Sequence, residues 1–310
     1  MKDLKINIDQ YEHHQFEKSI VIHADAFDIL EKLPENSVHS VVTDPPFGFK
    51  EYSLEQLKKM KKKNGGVWRI PPKFDGNERS PLPRFTDLSL DDQSMLSNFL
   101  KRLSNLLIKI LTPGGHLFIA SNVILSQIVF DPFSKSGFEF RGSVIRIVRT
   151  LRGGDRPKNA EKEYSDVCTL PRGCYEPWGI FRKPLLKGMT VKDCLDEFKT
   201  GALRRKMNGM PFEDVIESER TPLKERRIAN HPSIKPQSFI RQIVYASLPL
   251  GEGIVLDPFI GSGSTIASSE SLKYHSIGIE RYYEYYQMAL NAIPELSKIN
   301  TKIEQMSLFK

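Results

Sequence analysis

The sequence predicts an α/β fold: a mostly parallel sheet covered by helices on both faces, with a basic, irregular segment set into its middle. Three observations predict it. Short apolar runs alternate with amphipathic segments near both ends of the chain, the pattern left by strand–helix–strand units. Two of those runs end abruptly in stiff or glycine-rich corners, "TDPPFGF" from Thr43 and "LDPFIGSG" from Leu256. Between the two, from Leu151 to Asn230, the periodicity loosens and basic residues gather.

Taken in order, "SIVIHAD" (Ser19 to Asp25) reads as a short buried strand. "AFDILEKL" follows as an amphipathic helix ending at Pro34, and "SVHSVVTD" is the next strand. Gly48 to Asp87 has no sustained period, so 48–90 is expected to be a mobile loop or functional lid. Its "KKMKKK" run reads either as solvated charge or as a grip on phosphates. Met95, Leu96, Phe99, Leu100, Leu103, Leu106, Leu107, Ile110 and Leu111 recur at helical spacing; "TPGG" stops that helix, and "HLFIAS" and "GSVIRIVRT" are strands. Regularity returns with "KPQSFIRQIVYASL" as a helix, "GIVLDPF" as a strand entering a turn, "STIASSESL" as a helix, "HSIGIE" as a strand and "RYYEYYQMALNAI" as a helix. The organisation expected is therefore 1–150, a separate segment 151–230, 231–294, and a dispensable tail 295–310.

The 310 residues are 39% apolar, ample for a substantial core, with a net charge of +7 and a pI near 9.1. The placement of that charge is informative. Arg141 to Asn230 holds 20 Lys plus Arg against 13 Asp plus Glu, so this stretch carries the whole excess of the chain and is expected to meet an anionic partner. The polar N-terminus and the lack of a long apolar window exclude a membrane span by hydropathy and lead to an expected cytoplasmic location. Cys168, Cys174 and Cys194 are odd in number and irregularly spaced, so they are expected as free thiols, without disulfide or zinc. His13, His14 and His23 show no ligand spacing, and no metal is expected.

The two corners carry the chemistry. Prolines 45 and 46 halt the strand that ends at Thr43, because neither can donate to a ladder. What they leave is one carboxylate (Asp44), one carbonyl (Pro45) and one ring (Phe47), a cradle for a flat ligand bearing an amino group. In "VLDPFIGSGST" glycines at 261 and 263 permit close backbone approach at a helix start. A dinucleotide fingerprint would need Gly or Ala at 266, which is Ile, and a phosphate loop would need Lys at 264, which is Ser. Glu280 ends the strand "SIGIE", where an acid can accept from both hydroxyls of a ribose.

"DPPF" followed by "HPSIKP", "VLDPFIGSGST" and "SIGIE" resembles the amino-group DNA methyltransferases, in the permuted order of their beta group. The resemblance covers roughly 19–50, 95–150 and 228–292. It implies a class I methyltransferase fold, a doubly wound, mostly parallel seven-stranded sheet with an inserted target-recognition region at 151–230, and S-adenosylmethionine as cofactor. It also implies roles. Asp44, Pro45, Pro46 and Phe47 form the catalytic corner. Asp257, Pro258, Phe259, Gly261, Ser262, Gly263 and Thr265 surround the methionine part of the cofactor, Glu280 holds its ribose, and Asp25 faces its adenine although Ala24 replaces the usual glycine. His231, Ser233, Lys235 and Pro236 match the short "KP" element beside the cofactor, with Lys235 as its polar contact. Arg149 and Arg152 lie where relatives carry basic residues near the target base.

An exocyclic amino group is a poor nucleophile because its lone pair is spread into the ring. If Asp44 and the Pro45 carbonyl accept its two hydrogens, that pair turns out of plane. Phe47 would stack on the base or else belong to the core, and the base would have to leave the duplex. Methylation at cytosine C5 is excluded, since it needs a thiolate after proline and the three cysteines follow Val167, Gly173 and Asp193. The resemblance favours adenine N6 over cytosine N4, because cytosine enzymes commonly open the corner with Ser. A catalytically silent DNA-binding subunit is the reading from another class. "YEPWGIFRKP" offers Trp178 either as a reader of bases or as the centre of a small core. The partner expected is double-stranded DNA, with a homodimer and a restriction endonuclease partner left open, as in bacterial or phage modification systems.

Overall fold

The structure, a computed structural model, describes residues 6–47, 89–148, 160, 162–168, 171, 173–231 and 234–301, with backbone alone at 73–74 and 77–78. Most of the expected 48–90 loop, including "KKMKKK", lies outside these residues, as do Arg149, Arg152, Ser233 and everything past Thr301. In chain order the elements are β1 (His13–Gln15), β2 (Ser19–His23), α1 (Ala26–Leu30), β3 (Val38–Thr43), β4 (Lys73–Phe74) and β5 (Asn77–Glu78). Next come α2 (Leu90–Ile110), β6 (Leu111–Ala120), α3 (Ser126–Lys135), β7 (Glu139–Ile147), β8 (Tyr175–Arg182), α4 (Val191–Phe198) and β9 (Val215–Glu217). The chain closes with α5 (Leu223–Ile228), α6 (Gln237–Ser247), β10 (Ile254–Asp257), α7 (Ser264–Ser271), β11 (His275–Glu280) and α8 (Tyr283–Ser297).

Among the described residues the main sheet runs β1-β2-β11-β10-β3-β6-β8-β7-β9. Its seven inner strands are the expected sheet, to which β1 and β9, three residues each, add an edge on either side. β2, β11, β10, β3 and β6 pair in parallel; β8 runs antiparallel to both β6 and β7. The period of two decides the layers. Val41, Leu117 and Leu256 face α1, α2 and α3, whereas Val42, Phe118 and Val255 face α6. β6 is buried along its whole length, as a central strand covered on both faces must be.

Two boundaries differ from the sequence expectation. Residues 151–230 do not stand apart throughout: Tyr175–Arg182 is inserted into the sheet as β8, because Trp178 and Ile180 extend one apolar face while Phe181 extends the other. Trp178 is therefore a core residue. The segment after Pro294 is also no loose tail up to Thr301. Leu296 is fully buried, and the Arg241 guanidinium donates to the carbonyls of Leu296, Ser297 and Ile299, closing the C-terminal end of α8. The cysteines are all free thiols, two exposed and Cys194 buried against the Pro113 carbonyl.

Candidate active site

The four parallel strands β2, β11, β10 and β3 deliver Asp25, Glu280, Asp257 and Asp44, in that order, to one edge of the sheet. Ligands of open α/β sheets bind at such carboxyl ends. The register of β10 with β3 puts Leu256 beside Val41, so the two corners predicted from sequence leave the sheet side by side. Their junction is a hydrogen bond from Thr43 Oγ1 to Asp257 Oδ1 of 2.7 Å, buried at the sheet edge.

The first corner holds a charged cluster. Pro45 is buried, Pro46 exposed, and Phe47 is half-buried against both main apolar clusters. Asp44 Oδ2 lies 2.7 Å from Lys235 Nζ, and the same ammonium lies 3.6 Å from Glu176 Oε1. Lys235 thus sits between two carboxylates. The sequence places it as a cofactor contact; its observed partner is the acid of the other corner. It is aimed there because the "KP" element is pinned to the start of α7, Lys235 N donating to Ser264 Oγ and Gln237 Nε2 to the Ser264 carbonyl. Burial raises Asp44 above the usual carboxylate range; Lys235 opposes that shift without cancelling it, and Glu176 reinforces it. Burial alone would raise Glu176 as well, but Lys235, Arg146 and the Trp178 indole together hold it below its ordinary value.

Glu176 and Arg146 are the residues that sequence reasoning missed. They are cross-strand partners on β8 and β7, joined at 3.3 Å. Because β8 is antiparallel, its start, not its end, reaches the edge where the parallel strands finish. A signal was present: Glu176 shares a strand face with Trp178 and Ile180, and Arg146 with Val144, so two opposite charges occupy neighbouring apolar stripes.

The second corner holds its acids differently. Asp257 accepts from Thr43, from the backbone N–H of Phe259 at 3.1 Å, and from Thr265; burial pushes its carboxyl up to about 6. Glu280 accepts the Gly261 N–H at 3.0 Å and the Tyr282 N–H at 2.8 Å, and burial raises it too. Gly261 and Gly263 have φ of 50° and 83°, in the left-handed region. The space a Cβ would need at Gly261 is taken by His231, 2.9 Å away, and at Gly263 by Ile293, 2.6 Å away. These glycines therefore admit the protein's own side chains as much as any ligand. Pro258, Ser262 and Thr265 are buried around the turn, and Phe259 leans on Phe99 with ring centroids 5.8 Å apart. Asp25 caps α1 by accepting from Phe27 N at 2.9 Å, and its other oxygen lies 3.6 Å from Arg281. His231, packed edge-on against Tyr285, is held down to about 4, first by burial and then by Lys235.

This edge suits an elongated polar ligand. Glu280 accepts from the backbone of the glycine turn and from the backbone just after its own strand, so this turn is fixed before any ligand arrives. Among the described residues no Lys or Arg pairs with Asp257 or Glu280.

Comparison with known proteins bears on the family and the fold. The model of a family described as DNA methylase matches residues 38–291. The Type II methyltransferase M.HindIII of Haemophilus influenzae is 24% identical over 296 residues, spanning 88% of this chain and 94% of its own. The Type II methyltransferase M2.DpnII of Streptococcus pneumoniae is 22% identical, spanning 91% and 92%. Among solved structures, the M1.HpyAVI–SAM complex aligns with a TM-score of 0.53 at 18% identity, over 90% of this chain and 98% of that one. The cytosine-N4-specific PvuII DNA methyltransferase aligns with a TM-score of 0.59 at 14% identity, over 94% and 91%.

Proposed function

This chain belongs to the DNA methylase family, the S-adenosylmethionine-dependent enzymes that methylate an exocyclic amino group of DNA, and from that premise we propose that it acts on adenine N6 in a base extruded from the duplex. The observation that carries the proposal is Asp44: a carboxylate that opens a proline-stiffened corner, 2.7 Å from a lysine and joined through Thr43 to the acid of the neighbouring strand.

Asp44 and the Pro45 carbonyl accept the two amino hydrogens, which draws the nitrogen toward a tetrahedral shape and turns its lone pair out of the ring plane. The hydrogen bonds strengthen as positive charge develops on that nitrogen, so they act on the transition state more than on the bound base. S-adenosylmethionine, held there, would supply an electrophilic methyl group on a sulfonium that would keep the C–S electron pair. The nitrogen sheds one proton, for which ionised Asp44 is the nearest acceptor. Phe47 would stack on the base, a contact of about 1–3 kcal/mol, against an extrusion cost of a few kcal/mol.

The cofactor would lie along the row of acids, its ribose on Glu280, its methionine part over Asp257 to Thr265 and its adenine toward Asp25. The remainder of 151–230 outside β8 and α4, which carries the excess positive charge, would grip the phosphates and read the target. The resemblance extends to a cytoplasmic modification enzyme, alone or as a homodimer, with or without a restriction endonuclease. Cytosine N4 presents the same kind of amino group, and the likeness to the PvuII enzyme bears on fold alone. Digesting DNA treated with the protein and labelled cofactor to nucleosides, then weighing them, decides: N6-methyl-2′-deoxyadenosine is expected, and N4-methyl-2′-deoxycytidine would replace the reading.

A further inference from the structure

Lys235 is not a dedicated counterion of Asp44. Its ammonium stands 2.7 Å from Asp44 Oδ2 and 3.6 Å from Glu176 Oε1, and all three side chains are largely buried. Glu176 is fixed independently of that lysine. Trp178 Nε1 donates to its Oε1 at 2.7 Å and Arg146 Nη1 to its Oε2 at 3.3 Å. Arg146 is itself held by Ser218 Oγ and the Glu219 carbonyl, each at 3.1 Å, and lies over the Phe239 ring. Stability does not account for this arrangement, because a buried ion pair is often no better than apolar residues of equal volume. A rigid second acid beside the lysine instead changes what the lysine can do to the first.

Resting on the reading above, that Asp44 accepts the target amino group, we propose that Glu176 is a positioning residue for methyl transfer, which acts through Lys235. By sharing the ammonium it stops Lys235 from saturating Asp44, and Asp44 keeps acceptor capacity for the base. With Glu176 neutral, Lys235 would belong to Asp44 alone, and the incoming amino group would have to compete with a full positive charge for the same carboxylate.

The charged and titratable groups facing Asp44 are Lys235 from the "KP" element, Glu176 from β8, Arg146 from β7 and Asp257 from β10; His231 faces Lys235. Of these, the Glu176 charge opposes ionisation of Asp44, so its removal must ease that ionisation.

The test is single-turnover transfer of a labelled methyl group to DNA across pH. Glu176→Gln keeps the shape of the side chain and an acceptor oxygen for one of its two donors, the indole or the guanidinium, and cofactor affinity and thermal midpoint serve as its fold controls. The expected result is a loss of about 10–100-fold in the transfer rate, a KM for DNA changed by less than about threefold, and an acid limb moved to lower pH. In a Lys235→Met background the same substitution should change the rate by less than about threefold, because the path of its influence is gone. Glu176→Asp, which retains the charge, should leave the acid limb where it is in the wild type, and it stands in should the Gln variant fail to fold. An unmoved limb in Glu176→Gln, a moved limb in Glu176→Asp, or an equal rate loss with and without Lys235 would overturn the inference while leaving the Asp44 reading intact. A wild-type protein that methylates no amino group of DNA would instead remove the reading on which it rests.

Discussion

The two corners leave neighbouring strands and share a hydrogen bond, yet they hold their acids in opposite ways. At the first, Asp44 faces an ammonium that a second carboxylate also claims, with a guanidinium behind it. At the second, Asp257 and Glu280 are held by hydroxyls and backbone N–H groups. An acid that accepts fixed backbone donors is a staple: it shapes a loop and has little else to exchange with. An acid that shares its ammonium with a second carboxylate can change partners, as an acceptor must when a base arrives. The difference supports the proposed division, with chemistry at the first corner and cofactor binding at the second.

The comparison breaks most visibly at Asp44. Asp44→Ala should reduce methyl transfer by about 10³-fold or more and leave cofactor affinity within about twofold, measured by labelled-methyl incorporation and calorimetric titration. A collapse of cofactor affinity with rate preserved would exchange the roles of the corners. Glu280→Ala should give the reverse split. Two backbone N–H groups lose their acceptor, at about 1–3 kcal/mol each, so the cofactor Kd should rise by about tenfold or more while the rate at saturating cofactor changes far less.

The smallest effect sharpens the contrast through pH. Asp257 is raised to about 6 from an ordinary value of 3.8, so between these the folded protein keeps a proton that the unfolded chain has lost. Stability contributed by this group is present below about pH 4 and is lost as pH rises through 6. Asp257→Asn, which cannot titrate, should flatten the fall of thermal midpoint across that window, a change of about 2 kcal/mol at most. A profile identical to wild type would mean that the carboxyl is ionised throughout.

Much of this was legible in the sequence because its signals are local. Pro45 and Pro46 stop a strand wherever they occur, and acids at the ends of apolar runs, Asp25, Asp44, Asp257 and Glu280, mark the edge where parallel strands finish. The exposed β1 carries no apolar alternation and forms only because β2 offers it a free edge, so no local signal announces it. β8 was hidden by its basic, turn-rich flanks. Glu176 and Arg146 were missed for a different reason: each is a charge on an apolar stripe of its own strand, but only the pairing of β7 with β8 joins the two and sets Glu176 beside Lys235. Lys235 is a related case: the resemblance puts its motif beside the cofactor, while its four-carbon stem reaches Asp44 of the other corner.

The most direct measurement is a structure of the protein with DNA and a non-transferring analogue of the cofactor. The account predicts the target adenine outside the helix, its amino nitrogen within about 3 Å of both the Asp44 carboxylate and the Pro45 carbonyl, and Lys235 drawn toward Glu176. An amino group held by other residues, with Asp44 still closed on Lys235, would contradict it.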